Sequence, residues 1–203
     1  MSNLQIIGAG FWRTGTISLE SAIKTLLGGK VLNMGEVMIN SGSISMWRLA
    51  INNRNASLDS LTDGYVATLD WPAMAFWEEL SLSHPNAKVL LSIRDAESWW
   101  ESISKTVLIN APTREAARSP WDHLVVELFE KKFIGRNPTK IDAIAFYNAH
   151  NDRVIKTIPK DRLIIWRTGD DWTSLCDGLK LPIPDKAFPH LNTADDYRRM
   201  NNF

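Results

Sequence analysis

The sequence predicts an α/β fold in three layers, with a central parallel sheet of about five strands and helical insertions. Three observations predict it. Short apolar runs alternate with helical patterns along the chain, the mark of strands covered on both faces. The first strand runs through a glycine-containing turn directly into a helix. The length of 203 residues, with 44% hydrophobic and 23% charged, suits one buried core, and residues 1–203 are expected to form a single domain.

Leu4 to Gly8 reads as the first strand, followed by a helix from about Ser18 in which Leu19, Ala22, Ile23, Leu26 and Leu27 keep helical spacing. Gly28 and Gly29 stop it. Lys30 to Met34 is a second strand, Glu36 to Asn52 a mixed helix, and 53–64 a polar stretch. Tyr65 to Leu69 is a third strand ending at Asp70, and Pro72 opens a helix over Ala73 to Leu82. Lys88 to Ile93 is the strongest buried strand and ends at Arg94; a helix carrying Trp99, Trp100, Ile103 and Val107 follows. Ala111 to Pro120 reads as a loop able to cover a site. Helices are expected over Trp121 to Phe133 and Lys140 to Ile158, then a last strand, Arg162 to Trp166, a last helix, Trp172 to Leu179, and an irregular tail.

Composition removes several function classes. Lys plus Arg and Asp plus Glu balance at 23 each, so no global field draws the chain to nucleic acid or to a membrane surface. No apolar run approaches the ~20 residues of a membrane span. The N-terminal stretch MSNLQIIGAG carries no basic segment or cleavage site, so no secretory signal is expected. Cys176 is the lone cysteine, which fits a reducing, cytoplasmic compartment, and its apolar helical setting reads as a buried structural thiol. None of His84, His123, His150 and His190 stands in a metal-ligand spacing, so no metal is expected. Nine tryptophans are unusual; core packing explains most, and some are expected to line an aromatic or adenine pocket. The sequence carries no signal for an oligomeric state.

The informative stretch runs from Ile6 to Leu19, IIGAGFWRTGTISL. A strand, a glycine-containing loop, a cation, small hydroxyl residues and a helix make an anion cradle, because loop and helix N–H groups and the helix dipole favour negative charge. A dinucleotide fingerprint needs glycine where Arg13 stands, and a nucleoside-triphosphate loop needs a Gly-Lys-Ser/Thr that is absent.

Arg13-Thr14-Gly15-Thr16 resembles the 5′-phosphosulfate loop of sulfotransferases. The resemblance extends along nearly the whole chain to the bacterial, algal and fungal sulfotransferase-like family that includes the oxamniquine-activating type. GAGFWRTGTISL, GYVATLDWPAMAFWEEL, AKVLLSIRDAESWWES, AHNDRV, RLIIW and PIPDKAFPHLN stand in the family's order. It implies a three-layer P-loop fold and a sulfonyl transfer from 3′-phosphoadenosine 5′-phosphosulfate (PAPS), with 3′-phosphoadenosine 5′-phosphate (PAP) as product and a hydroxyl or amine of a small molecule as acceptor. It implies that Arg13, Thr14, Gly15, Thr16, Ile17 and Ser18 bind the 5′ end of the donor, and that Arg94 and Ser102 bind its 3′-phosphate. Taken alone, Arg94 also reads as a surface ion-pair partner and Ser102 as a solvated helix position. The turn Thr68-Leu69-Asp70-Trp71-Pro72 stands where related enzymes keep a catalytic histidine, so the resemblance makes Asp70 the general base, beside Arg13 as the catalytic cation. The alternative for Asp70 is a cap on the helix that follows.

Two positions depart from the family: Ile17 replaces a hydroxyl, and Asn33-Met34 stands where the family often has His-Met. The first removes one possible donor to the 5′-phosphate, and the second bears on the acceptor. His190, in FPHLN, is expected to be structural or near the donor. Two other readings stay open from residues alone, a P-loop small-molecule kinase or NTPase and a catalytically silent nucleotide-binding relative.

Overall fold

The computed structural model describes residues 4–52 and 57–191. The strands are β1 (Ile6–Gly8), β2 (Lys30–Leu32), β3 (Tyr65–Thr68), β4 (Lys88–Ile93) and β5 (Leu163–Arg167). The helices are α1 (Thr16–Leu27), α2 (Met34–Met38), α3 (Ser41–Asn52), α4 (Asp59–Thr62), α5 (Trp77–Ser83), α6 (Ala96–Ser104), α7 (Val107–Asn110), α8 (Pro120–Lys132), α9 (Lys140–Thr157) and α10 (Thr173–Leu179). A 3₁₀ turn, Ala73–Phe76, precedes α5.

The five strands form one sheet in the order β2-β3-β1-β4-β5, and every pairing is parallel. Alternation along the strands sorts side chains to the two faces. Ile7, Val89 and Leu91 enter a large cluster with Trp99, Leu124 and Tyr147, while Ile6, Leu90 and Ile164 enter a second with Leu19, Ile23 and Leu175. The expected α/β sandwich with a parallel sheet is therefore observed. Cys176 is buried in the second cluster, and burial pushes its thiol up from the ordinary value.

Several boundaries differ from the sequence reading, each for a local reason. The second strand stops at Leu32 because Asn33 caps α2: its Oδ1 accepts from Glu36 N at 3.0 Å. The helix expected over Glu36 to Asn52 is two helices, and Asn40 Oδ1 accepts from Ser43 N at 3.1 Å at the start of the second. The helix carrying Trp99 ends at Ser104, so Val107 lies in the separate α7. In the polar stretch, Leu61 and Thr62 are buried and form α4; residues 53–56 lie outside the described residues, as does the tail from 192. Among the described residues no helix is long and apolar enough to cross a membrane.

Candidate active site

A parallel sheet delivers all its carboxyl ends to one edge, and the strand order decides which residues meet there. From one side to the other the ends present Met34 after β2, Asp70 after β3, the loop from Ala9 to Gly15 after β1, Arg94 after β4 and Thr168 after β5. These residues, separated widely in sequence, border one cavity of about 770 Å³, apart from the inner part of the loop.

The loop is held by contacts that only its own residue types allow. A Cβ on Gly10 would lie 1.9 Å from Ser92 Oγ, so the loop can approach β4 only with glycine there. Thr14 is fully buried, and its hydroxyl meets Phe11 O and Ser92 Oγ. Its carbonyl accepts from Thr168 Oγ1 at 3.1 Å. Arg13 (φ 65°) and Gly15 (φ 95°) take the left-handed conformation, which turns the chain into α1. No side chain caps α1, and no acidic residue occupies its first turn. Its first N–H groups and positive dipole end thus face the cavity beside Thr16, Ile17 and Ser18, which all line it.

Asp70 (φ 62°) sits at the cavity floor. Its Oδ1 accepts from Trp71 N at 2.8 Å and its Oδ2 from Thr16 Oγ1 at 3.3 Å. Burial pushes the carboxyl above the usual carboxylate range and outweighs the opposing pull of the Trp71 N–H, the Thr16 hydroxyl and the Arg13 charge; Glu20 adds to the rise. The carboxylate does not cap the following helical turn, which has no side-chain cap; the Asp70 backbone carbonyl accepts from Met74 N instead.

The other cation is positioned from α9. Tyr147 OH accepts from Arg94 N at 2.9 Å and donates to Arg94 O at 3.0 Å. Arg94 Nη1 donates to Arg13 O at 3.3 Å, and Arg13 Nε donates to Ser102 Oγ at 3.0 Å. Ser102 therefore stands behind Arg13 and outside the cavity wall. His150, one turn after Tyr147, meets Ala9 O through Nε2 at 2.7 Å. Burial pushes its imidazole down, so the neutral ring carries its proton on Nε2, because a carbonyl only accepts.

A strap from Phe188 to Leu191 borders the α1 side of the cavity. Leu191 N donates to Ser18 Oγ at 3.0 Å, which donates on to Leu191 O at 3.3 Å, so the Ser18 hydroxyl is engaged by the strap. Phe188 stacks on Trp166 at 5.5 Å, and His190 reaches the cavity wall.

A sulfotransferase domain model matches residues 5–197. The chain belongs to the sulfotransferase-domain family. The "Ava biosynthesis cluster protein M" of Aspergillus versicolor is 28% identical over 215 residues, covering 95% of this chain and 82% of that protein. The crystal structure of a sulfotransferase from Alicyclobacillus acidocaldarius superposes with a TM-score of 0.51 at 12% identity, covering 99% of this chain and 90% of that one. This last likeness is one of fold.

Within the sulfotransferase domain the residues expected at the site gather as follows. Arg13, Gly15, Thr16, Ile17, Ser18, Asp70 and Arg94 line the cavity, Thr14 lies beneath the loop, and Ser102 supports Arg13. Of the two departures from the family pattern, Ile17 lines the cavity, while Asn33 Nδ2 donates to Glu20 Oε2 outside it. Among the tryptophans Trp12, Trp71, Trp121 and Trp166 line it; Trp99 and Trp172 do not. Sequence reasoning missed Tyr147, Thr168 and the α8 face of Trp121, Val125 and Phe129. The first two carry no local signal, and the third has the i, i+4, i+8 spacing of an ordinary core face.

Proposed function

We propose that this sulfotransferase domain uses PAPS as donor, transfers its sulfonyl group to a small-molecule acceptor, and takes the acceptor's proton on Asp70. The observation that carries the reading is the meeting, in one cavity, of an uncapped helix start with two arginines and a carboxylate whose affinity for a proton is raised by burial. The donor set fits a twice-phosphorylated anion: guanidinium groups, N–H groups and hydroxyls, with a carboxylate on the acceptor side only.

When bound, PAPS supplies an activated sulfonyl group and a stable leaving group, PAP. The N–H groups from Thr14 to Ser18 hold the 5′-phosphate, and Arg13 braces the bridging oxygen as negative charge grows there. Arg94 takes the 3′-phosphate. Ser102, expected at the same phosphate, stands outside the cavity wall instead, where its hydroxyl oxygen accepts from Arg13 Nε and positions that cation. The acceptor oxygen forms a bond to sulfur while the bond from sulfur to the 5′-phosphate oxygen breaks, and the acceptor proton passes to Asp70.

Titration with PAP in the absence of Mg²⁺, followed by tryptophan fluorescence, tests the donor. Saturable binding of PAP without metal is expected, with Trp166 and Trp12 as reporters. Binding of Mg-ATP in its place overturns the reading in favour of a kinase. Sulfonation of members of an acceptor library by labelled PAPS then separates an enzyme from a silent relative.

A further inference from the structure

We infer that His150 is a positioning residue for the phosphate loop: with Trp99 it holds outer carbonyls of the loop, which turns the opposite N–H groups toward the anion before it binds; this rests on the donor reading above. The loop backbone is partnered unevenly. From Ala9 to Thr14 its carbonyls accept from side chains of separate elements. His150 Nε2, on α9, donates to Ala9 O at 2.7 Å, and Trp99 Nε1, on α6, donates to Trp12 O at 3.2 Å. Arg94 Nη1, after β4, donates to Arg13 O at 3.3 Å, and Thr168 Oγ1, after β5, to Thr14 O at 3.1 Å. Phe11 O is taken from within the loop by the Thr14 hydroxyl. The N–H groups are not matched in this way. Among the described residues, none of the N–H groups of Trp12, Thr14 and Gly15 donates within the chain.

Peptide geometry connects the two halves. A trans peptide is planar, so a carbonyl and the N–H of the next residue point in opposite directions. Holding the carbonyls of Phe11, Arg13 and Thr14 therefore aims the N–H groups of Trp12, Thr14 and Gly15 the other way. Trp12, Arg13 and Gly15 border the cavity. Successive N–H groups turned to one side of a loop make the concave donor surface that binds anions.

His150 and Trp99 differ from the other donors in where they stand. Arg94 and Thr168 line the cavity, whereas His150 and Trp99 do not and reach the loop from behind. Trp99 is fully buried, with its ring stacked on Tyr147 at 4.2 Å. The His150 ring lies 4.5 Å from that of Phe11 and meets Trp77 edge on at 6.3 Å. The peptide that His150 holds is the one with most freedom to turn, because Gly8 and Gly10 flank Ala9. Ala9 is fully buried, so without the imidazole its carbonyl loses a partner that water does not replace. Turning the peptide relieves that loss, and a carbonyl turned to the cavity opposes the negative charge of a phosphate.

The test is calorimetric binding of PAP and of adenosine 3′-monophosphate, which lacks the 5′-phosphate, to the full chain and its variants. The unaltered protein is expected to bind PAP at least about 30-fold more tightly than the monophosphate, the worth of a charge-assisted phosphate contact. His150→Phe keeps a ring against Phe11 and removes the donor. Its preference for PAP should fall about tenfold, with affinity for the monophosphate held. His150→Gln, which restores a side-chain N–H, should recover most of the preference. Trp99→Phe keeps an aromatic ring and deletes the other N–H; it should show the same selective loss, and it decides if His150→Phe does not fold.

A folded His150→Phe that keeps the preference, or that loses both ligands equally, overturns the inference and leaves His150 a packing residue. A glutamine variant no better than phenylalanine overturns it too. Equal binding of the two ligands by the unaltered protein overturns instead the reading of the loop as the 5′-phosphate site, and the inference falls with it.

Discussion

Thr16, the first residue of α1, donates its hydroxyl hydrogen to Asp70 Oδ2 at 3.3 Å, across 54 residues of sequence. The helix whose start faces the cavity therefore also holds the carboxylate proposed to receive the acceptor proton. The same carboxylate accepts from the Trp71 N–H, so both oxygens are oriented before any acceptor arrives. Orientation of this kind is what in-line transfer requires of a base.

Asp70→Asn keeps the shape and the Trp71 hydrogen bond but removes the proton acceptor. Turnover is expected to fall about 10²–10⁴-fold with PAP affinity nearly intact. A variant keeping more than about half of the original turnover, with chemistry shown to be rate-limiting, would sink the general-base assignment.

The same residue sets a pH dependence. Burial raises the Asp70 pKa in the folded chain above its unfolded value. The folded state thus binds the proton more tightly, and the stability this contributes is present at low pH and lost as pH rises through the folded pKa. The proposed base works deprotonated, so the acid limb of turnover should lie above the ~3.9 of a free Asp. Asp70→Asn should raise Tm at pH 7 and give no such gain at pH values below both pKa values, where the native carboxyl is neutral too. A lower Tm at pH 7 would show that the hydrogen bonds of the carboxylate outweigh its burial.

Much of the proposed donor side was legible because it is contiguous. Residues 6 to 19 hold a strand, loop and helix in one stretch, and Arg94 follows the longest strand. Asp70 likewise stands just past a strand, two residues after Thr68. The acceptor side was not legible, because Trp121, Val125 and Phe129 have the spacing of any buried helix face, and only packing decides that they border a cavity. The α2–α3 break escaped for a different reason: the Asn40 side chain takes the Ser43 N–H at the start of α3, which apolar periodicity does not register.

Arg94→Ala removes a guanidinium that lines the cavity and is proposed to take the 3′-phosphate. A charge-assisted phosphate contact is worth about 2 kcal/mol, so PAP should bind about 30-fold more weakly by calorimetry. Unchanged affinity would remove Arg94 from the site.

Gly15→Ala should damage both loop and binding. At φ 95° an added Cβ is strained, and it would lie 2.7 Å from Trp166 Cζ3, a ring already stacked on Phe188. PAP affinity is expected to fall at least about tenfold, with a loss of stability beyond the ~1 kcal/mol of left-handed backbone alone. Gly28→Ala supplies the comparison: φ is 64° and nothing lies within 4 Å of the added atom. It should lower Tm with PAP binding unchanged, and equal effects of both variants on PAP would refute the steric argument.

Tyr147→Phe isolates a positioning role. The buried phenol, held neutral because burial pushes its pKa up, both accepts from Arg94 N and donates to Arg94 O. Phenylalanine keeps the stacking on Trp99, whose ring centroid lies 4.2 Å away, and deletes only the hydroxyl. The Arg94 N–H is then left without that partner, at a cost of about 1–3 kcal/mol in unfolding free energy. Because the same two bonds fix where the Arg94 side chain leaves the end of β4, PAP affinity should fall with stability, while acceptor binding stays level. Thermal unfolding alone would not separate this from simple core damage; the split between PAP and acceptor affinity does. A Tyr147→Phe protein of lowered Tm with unchanged PAP affinity would mean that β4 and the loop after it position Arg94 without help from α9.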